Sequence, residues 1–120
     1  MGVRVWMRPD PERRARLEAE LERYLQVLRR EPTVRRVLLF GSLAEGNPGP
    51  ASDIDLLIVQ ETDRPFLKRL EEWYERLDPR LATDILVYTP EEADALKDTP
   101  TTAGQALRRG RVLYEAEPKG

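Results

Sequence analysis

The 120-residue sequence contains no cysteine and no histidine. Without cysteine the chain cannot depend on disulfides, and its composition is compatible with a reducing compartment. Without either residue the usual ligands of zinc and copper are missing, so a bound metal ion would be held by oxygen atoms, which favours Mg²⁺. Any metal site in this chain should therefore be built from carboxylates.

The sequence also lacks a long apolar stretch and an excess of charge of one sign. No N-terminal segment has the apolar length of a signal peptide or membrane span, so we expect a cytoplasmic protein with no membrane partner. The net charge is −2, and the charged residues, 35% of the chain, are of both signs. Because no broad basic surface is expected, nucleic acid is not predicted as a partner.

Length and periodicity predict one α/β domain spanning residues 1–120, since a chain of this size supports one hydrophobic core. Apolar spacing and capping residues predict a small mixed β-sheet of three or four strands flanked by helices. The predicted helices span residues 11–30, 63–77, 89–96 and 99–110, and the predicted strands span residues 37–40, 53–59, 82–88 and 111–114.

The most informative stretch is residues 37–59, where two apolar runs enclose a loop rich in glycine and proline. The first run ends at Gly41 and Ser42, and the second opens with Asp53 and Asp55. Strand alternation puts the two carboxylates on one face, about 6 to 7 Å apart. They would repel each other by about 2 to 3 kcal/mol at an effective dielectric constant near 20. A cation between them, most naturally Mg²⁺, is therefore expected.

The residues before this loop suit a phosphate. Gly41 allows a tight turn and a close approach by a ligand, while Ser42 offers a hydroxyl group and could cap a short helix whose free N–H groups favour anions. The strand predicted at residues 82–88 opens with Asp84, in the same way that Asp55 opens the second apolar run. Asp84 can therefore stand beside the first two carboxylates.

Together these residues form a pattern in which Gly41 and Ser42 are followed by ten residues and then by Asp53-Ile54-Asp55. The pattern resembles the hallmark of the nucleotidyltransferase superfamily that includes DNA polymerase β. The likeness is greatest to the minimal nucleotidyltransferase (MNT) group, small domains often paired with a HEPN-domain protein in toxin–antitoxin modules. The resemblance implies the nucleotidyltransferase fold.

The resemblance also implies roles for individual residues. Asp53, Asp55 and Asp84 would be the catalytic residues and would hold two magnesium ions, with Asp84 as the third acidic residue of the family site. Gly41 and Ser42 would bind the nucleotide phosphates. The implied reaction moves a nucleoside monophosphate, in the first place AMP from ATP, to a hydroxyl group.

The acceptor is expected on a protein partner, because few residues follow the core motif to build an acceptor pocket. By resemblance, the partner would be a HEPN-type toxin and this chain its antitoxin. One alternative is a catalytically weak or inactive binding module that neutralises a partner by complex formation. Another is transfer to a small molecule such as an aminoglycoside, which would need a larger acceptor domain.

The chain departs from the family pattern at one point. Many members carry an arginine soon after Gly-Ser, whereas residues 43–45 are Leu-Ala-Glu. The loop therefore lacks a positive side chain for the triphosphate. Arg35, Arg36, Arg64 and Lys68 are the candidates to replace it from neighbouring elements.

Overall fold

The computed structural model describes residues 11–41 and 53–118. Within these residues the chain forms four helices and four strands, which confirms the predicted α/β class with a small mixed sheet flanked by helices. In chain order they are α1 (Pro11–Arg29), β1 (Val34–Phe40), β2 (Ile54–Gln60), α2 (Phe66–Leu77), β3 (Thr83–Tyr88), α3 (Pro90–Leu96), α4 (Thr102–Arg109) and β4 (Arg111–Glu115).

The four strands form one sheet in the order β3-β2-β1-β4. β1 is antiparallel to both β2 and β4, whereas β2 and β3 are parallel and are joined by α2. A parallel pair needs such a crossover, because the chain must return to the same end of the sheet before the next strand begins. The end of β1 and the beginnings of β2 and β3 consequently lie at the same end of the sheet.

Helices cover both faces of the sheet, which explains why every residue of β2 is buried. On the first face, Ile54 and Leu56 pack with residues of α1 and α2, and on the second face Leu57 packs with residues of α3 and α4. The buried helical partners are Leu17, Tyr24, Leu25, Leu28, Trp73 and Leu77 on the first face and Ala93, Ala103 and Ala106 on the second. Among the described helices, none combines the length and hydrophobicity that a membrane span requires.

Several element boundaries differ from the predictions. β1 begins at Val34 rather than at residue 37, because Arg36 pairs with both neighbouring strands although it interrupts the apolar run. α2 begins at Phe66 because Pro65 at its N-cap has extended backbone, with φ −61° and ψ 153°. α4 is capped by Thr101, whose hydroxyl accepts a hydrogen bond from Gly104 N–H, rather than by the predicted residue 99.

The helix start predicted at residue 89 is confirmed, and it is made by a capping box. Thr89 Oγ1 accepts a hydrogen bond from the N–H of Glu92 at 3.1 Å, and Glu92 Oε1 accepts one from the N–H of Thr89 at 2.9 Å. This reciprocal pair satisfies two backbone donors that the helix would otherwise leave free. It fixes the point at which the chain leaves β3.

Candidate active site

The strand register brings Asp55 and Asp84 together with the end of β1 at one end of the strands. Phe40, the last residue of β1, pairs with Asp55 on β2, and Asp55 pairs with Asp84 on β3. Neighbouring residues in adjacent strands point to the same face, and adjacent strands lie about 4.8 Å apart. Asp55 and Asp84 are therefore lateral neighbours. We call this end of the strands, with Gly41, Asp53, Asp55 and Asp84, the carboxylate end.

The backbone of Gly41 lies directly against the carboxylate of Asp55. Its φ is +72°, and a Cβ atom at this position would lie 2.3 Å from Asp55 Oδ2. Both the positive φ and the missing space exclude larger side chains at this position. The close approach expected at Gly41 is made in this structure by a carboxylate, and Asp55 itself is only 8% exposed.

Asp53 connects three parts of the chain at the carboxylate end. Its N–H donates to Ala82 O at 2.8 Å, and its Oδ2 accepts a hydrogen bond from Ala82 N–H at 3.3 Å. Its Oδ1 accepts a hydrogen bond from the guanidinium of Arg13 in the first turns of α1. Asp53 thus ties the start of β2 to the residue before β3 and to α1.

Asp84 differs from its neighbour Asp55 in being exposed to solvent. Within residues 11–41 and 53–118 its side chain has no hydrogen-bond or ion-pair partner. Leu86 and Tyr88, two and four residues further along β3, pack with the second face. Because strand residues alternate in direction, Asp84 faces the same side of the sheet as these two residues, at the carboxylate end.

A buried polar network on the first face holds the segment that carries Asp84. The hydroxyl group of Tyr24 lies 2.8 Å from Thr83 Oγ1 and donates to Glu20 Oε2 at 2.8 Å. The hydroxyl group of Tyr74 donates to Thr83 O at 2.9 Å and accepts from the N–H of Ile85 at 3.2 Å. The backbone on both sides of Asp84 is therefore held by Tyr74 of α2, and Tyr24 of α1 holds the side chain of Thr83.

Glu20 is the charged centre of this network and is ionised throughout the neutral range. Burial acts to raise its pKa, but hydrogen bonds from Arg23, from the N–H of Arg80 and from Tyr24 outweigh burial and hold the pKa at about 2. Burial also raises the pKa of Tyr24 well above its usual range, so this hydroxyl stays protonated as a donor. Glu20 could not be identified from the sequence, because only the packing of α1 on the sheet buries it.

The donor set at the carboxylate end suits Mg²⁺, since the chain has carboxylates and no histidine or cysteine. Asp55 and Asp84 are brought together in register, whereas Asp53 is engaged by Arg13 and Ala82. Across the described ranges, no three acidic side chains stand together as a ready-made metal site. The ligand set of three carboxylates stays a prediction, as does the role of Ser42, which lies outside the described residues.

The basic residues proposed as replacements for the missing loop arginine lie at the opposite end of the strands. Arg36, for example, is four positions before Phe40, or about 13 Å along the strand. Each of the four is paired with an acidic side chain. The pairs are Arg35 with Glu61, Arg36 with Glu115, Arg64 with Glu72 and Lys68 with Glu71.

Arg13 is a basic residue that contacts the carboxylate end, and it was not among the candidates predicted from the sequence. Arg14 forms an exposed ion pair with Glu18, four residues further along α1. Arg13 instead pairs with Asp53, forty residues away. No local pattern distinguishes the two arginines, because the difference depends on how α1 crosses the sheet.

Comparison with known proteins agrees with this geometry. A family model described as "Polymerase beta, Nucleotidyltransferase" matches residues 22–119. The chain is also similar to the crystal structure of a "putative nucleotidyltransferase" from Sulfolobus solfataricus, with 30% sequence identity and a TM-score of 0.55. That similarity covers 72% of this chain and 79% of the Sulfolobus chain. None of the curated proteins compared with the chain matches it. The chain belongs to the polymerase β-type nucleotidyltransferase family.

Proposed function

We propose that this chain is a Mg²⁺-dependent enzyme that transfers AMP from ATP to a hydroxyl group of a protein partner. In this proposal the chain is of the minimal nucleotidyltransferase type, the partner is a HEPN-domain toxin with a tyrosine acceptor, and the chain is the antitoxin. Family membership supports nucleotidyl transfer as the reaction class. The nucleotide, the acceptor and the partner are our extension of that class.

One observation carries the proposal: three neighbouring strands bring Gly41, Asp55 and Asp84 side by side at the carboxylate end. Two carboxylates about 5 Å apart repel each other by about 3 kcal/mol at an effective dielectric constant of 20. A fold gains nothing in stability from this arrangement. Clustered like charges of this kind are characteristic of sites that bind cations or handle protons.

The metal would be held by the carboxylate oxygens of Asp53, Asp55 and Asp84. When bound, Mg²⁺ would lower the pKa of the acceptor hydroxyl group and neutralise the charge that develops on the departing pyrophosphate. The glycine at position 41 keeps the carboxylate of Asp55 close to the turn that would hold the phosphates. In this scheme most of the rate enhancement comes from positioning and charge neutralisation.

In the proposed reaction Asp84 would accept the proton of the acceptor hydroxyl group. It is the exposed member of the pair, so a hydroxyl group arriving from solution can reach it. Asp84 would take the proton as the hydroxyl oxygen bonds to the α-phosphorus. The bond from that phosphorus to pyrophosphate would break, and pyrophosphate would leave with the electron pair. Gly41 and Ser42 would hold the β- and γ-phosphates.

The arrangement of the later elements favours an acceptor on another molecule. After β3, the described elements α3 and α4 pack on the second face of the sheet, and β4 pairs with β1. In the part of the chain that the structure describes, these elements complete the core of the sheet. In our proposal a macromolecular partner supplies the acceptor pocket.

The proposal is tested by incubating the protein with Mg²⁺ and α-labelled ATP, with and without a purified HEPN-domain partner. We expect label on the partner, and we expect Asp53→Asn and Asp55→Asn each to abolish labelling while the fold is retained. Asp94→Asn is the matched control, because Asp94 is an exposed aspartate on α3 that pairs with Lys97. This control should label the partner as the wild type does.

Each other outcome identifies a different function. A stable complex without label would indicate the binding module that neutralises its partner without chemistry. Label on a small molecule would indicate a different acceptor class. Full labelling by both Asp53→Asn and Asp55→Asn would refute the assignment of the site.

A further inference from the structure

Arg13 is the basic side chain that contacts the carboxylate end from α1. Its guanidinium donates to Asp53 Oδ1, and within the described residues Asp53 is its partner. The side chain of Arg13 is 51% exposed and that of Asp53 is 32% exposed. Such an exposed ion pair contributes little to stability, so structural need alone does not account for it.

The neighbouring residue shows that this contact is specific. Arg14, the next residue on α1, pairs with Glu18 one turn along the same helix, and both side chains are about 70% exposed. Arg13 instead reaches across to the start of β2. A guanidinium has five N–H donors in a planar fork, and the contact with Asp53 leaves several of them available.

A cation and Arg13 would compete for the same oxygen atom. Asp53 Oδ1 accepts the hydrogen bond from Arg13, and Oδ2 accepts one from Ala82 N–H. A divalent cation that took Oδ1 would displace the guanidinium and repel it. The negative charge of a triphosphate would then attract it, because arginine binds phosphate oxygens through paired hydrogen bonds.

We propose that Arg13 alternates between two ligands: it holds Asp53 while no cation is bound, and it binds the nucleotide phosphates once a divalent cation takes Asp53. Arg13 would thus provide the positive side chain that residues 43–45 lack. Arg36 and the other basic candidates lie at the opposite end of the strands and are paired there. This inference rests on the proposed nucleotidyl transfer.

The proposal is tested by two binding measurements on Arg13→Gln. Binding of Mn²⁺ without nucleotide, followed by electron paramagnetic resonance of the free ion, should strengthen by about 2- to 5-fold because the competing cation is gone. Binding of a non-hydrolysable ATP analogue with Mg²⁺, followed by calorimetry, should weaken by about 10- to 100-fold because charged hydrogen bonds to phosphate are lost. A residue with only a structural role would not shift the two affinities in opposite directions.

Arg14→Gln is the matched control, since it removes the same charge one residue away and should leave both affinities unchanged. Arg13→Lys, which keeps the charge without the fork, should restore part of the nucleotide affinity. The proposal is overturned if Arg13→Gln and Arg14→Gln alter nucleotide binding equally, or if Mn²⁺ binds Arg13→Gln no better than the control. A wild-type protein that binds Mn²⁺ and no nucleotide would contradict the proposed function itself.

Discussion

The two ends of the sheet are built on opposite principles. At the far end, where β2 finishes, the buried side chains of Gln60 and Trp73 are hydrogen-bonded to each other. Gln60 accepts a hydrogen bond from Trp73 Nε1 at 2.9 Å and donates to Thr33 Oγ1 at 3.0 Å. At the carboxylate end, by contrast, Asp55 and Asp84 place like charges side by side.

The far end also contains a nearly buried cation with a full set of partners. Arg69, 8% exposed, pairs with Glu92 at 2.7 Å and donates to Arg64 O at 2.7 Å. The hydrogen bond from Arg69 is the largest of the contacts that lower the pKa of Glu92. The charges of Arg69 and Glu92 therefore stabilise the fold, whereas the like charges of Asp55 and Asp84 repel each other.

The largest effect should come from Trp73→Ala at the far end. Trp73 is fully buried, so its removal should lower the free energy of unfolding by about 3 to 5 kcal/mol through lost packing and a cavity. Urea unfolding measures this change. Nucleotidyl transfer per folded molecule should be unchanged. A large loss of specific activity in the folded fraction would show that the far end also contributes to activity.

Acid should destabilise the fold partly through Glu20, in the polar network next to the carboxylate end. The pKa of Glu20 is about 2 in the folded chain against an ordinary value of 4.5. The ionised form therefore stabilises the fold fully above about pH 4.5, and this contribution is lost as the pH falls toward about 2. It amounts to about 3 kcal/mol, at 1.36 kcal/mol for each pKa unit.

Unfolding curves of the wild type and Glu20→Gln, recorded between about pH 5 and pH 2, check this expectation. The variant should be less stable at neutral pH and should lose less stability on acidification. Parallel curves for the two proteins would show that another acidic group controls the acid transition.

Gly41→Ala should damage chemistry more than folding. The new methyl group would lie 2.3 Å from Asp55 Oδ2 and would displace that carboxylate, which should slow transfer by about 100-fold, or about 2.7 kcal/mol of barrier. The cost to the free energy of unfolding should be about 1 to 2 kcal/mol, because alanine at a positive φ is strained. Transfer assays and thermal unfolding measure the two effects separately.

Gly104→Ala provides the steric control for this prediction. A Cβ atom at Gly104 would lie 2.2 Å from Thr99 O, so the variant is also crowded, but between α4 and the segment that precedes it. It should lose stability and keep its activity per folded molecule. Equal losses of specific activity in both variants would show that crowding anywhere impairs transfer.

The smallest effect is expected from Tyr74→Phe. The hydroxyl group of Tyr74 bonds the backbone on both sides of Asp84, and losing it should cost about 1 kcal/mol of stability. Hydrogen exchange should be faster at the N–H of Ile85. Tyr88→Phe is the control and should stay within about 0.5 kcal/mol of the wild type, since the hydroxyl of Tyr88 has no hydrogen-bond partner in the described ranges.

Sequence patterns predicted the parts of the fold that local signals determine. The apolar run of β2 and the capping box from Thr89 to Glu92 are examples, since each depends on residues close in the chain. The lateral pairing of Asp55 with Asp84 was also predicted, because both residues open a strand at the same end. Two parallel neighbouring strands begin at the same end of a sheet, so residues that open them lie close together.

Contacts between distant elements could not be predicted in this way. Arg35 and Arg36 interrupt an apolar run, so the sequence gives no sign that β1 already includes them. Arg13 and Glu20 look like other charged residues of α1, and only the position of the helix on the sheet directs one to Asp53 and buries the other. Interactions between elements thus override local preference where the site is assembled.

Because β2 and β3 pair in parallel, the distance between Asp55 and Asp84 does not depend on the length of the chain that joins the two strands. That spacing is set by the ladder of hydrogen bonds, whereas the link at residues 62–64 runs at the opposite end of the strands. Short insertions are usually tolerated in exposed links of this kind. A fluorescent reporter or a peptide tag introduced at residue 63 would therefore leave the two aspartates at their native separation.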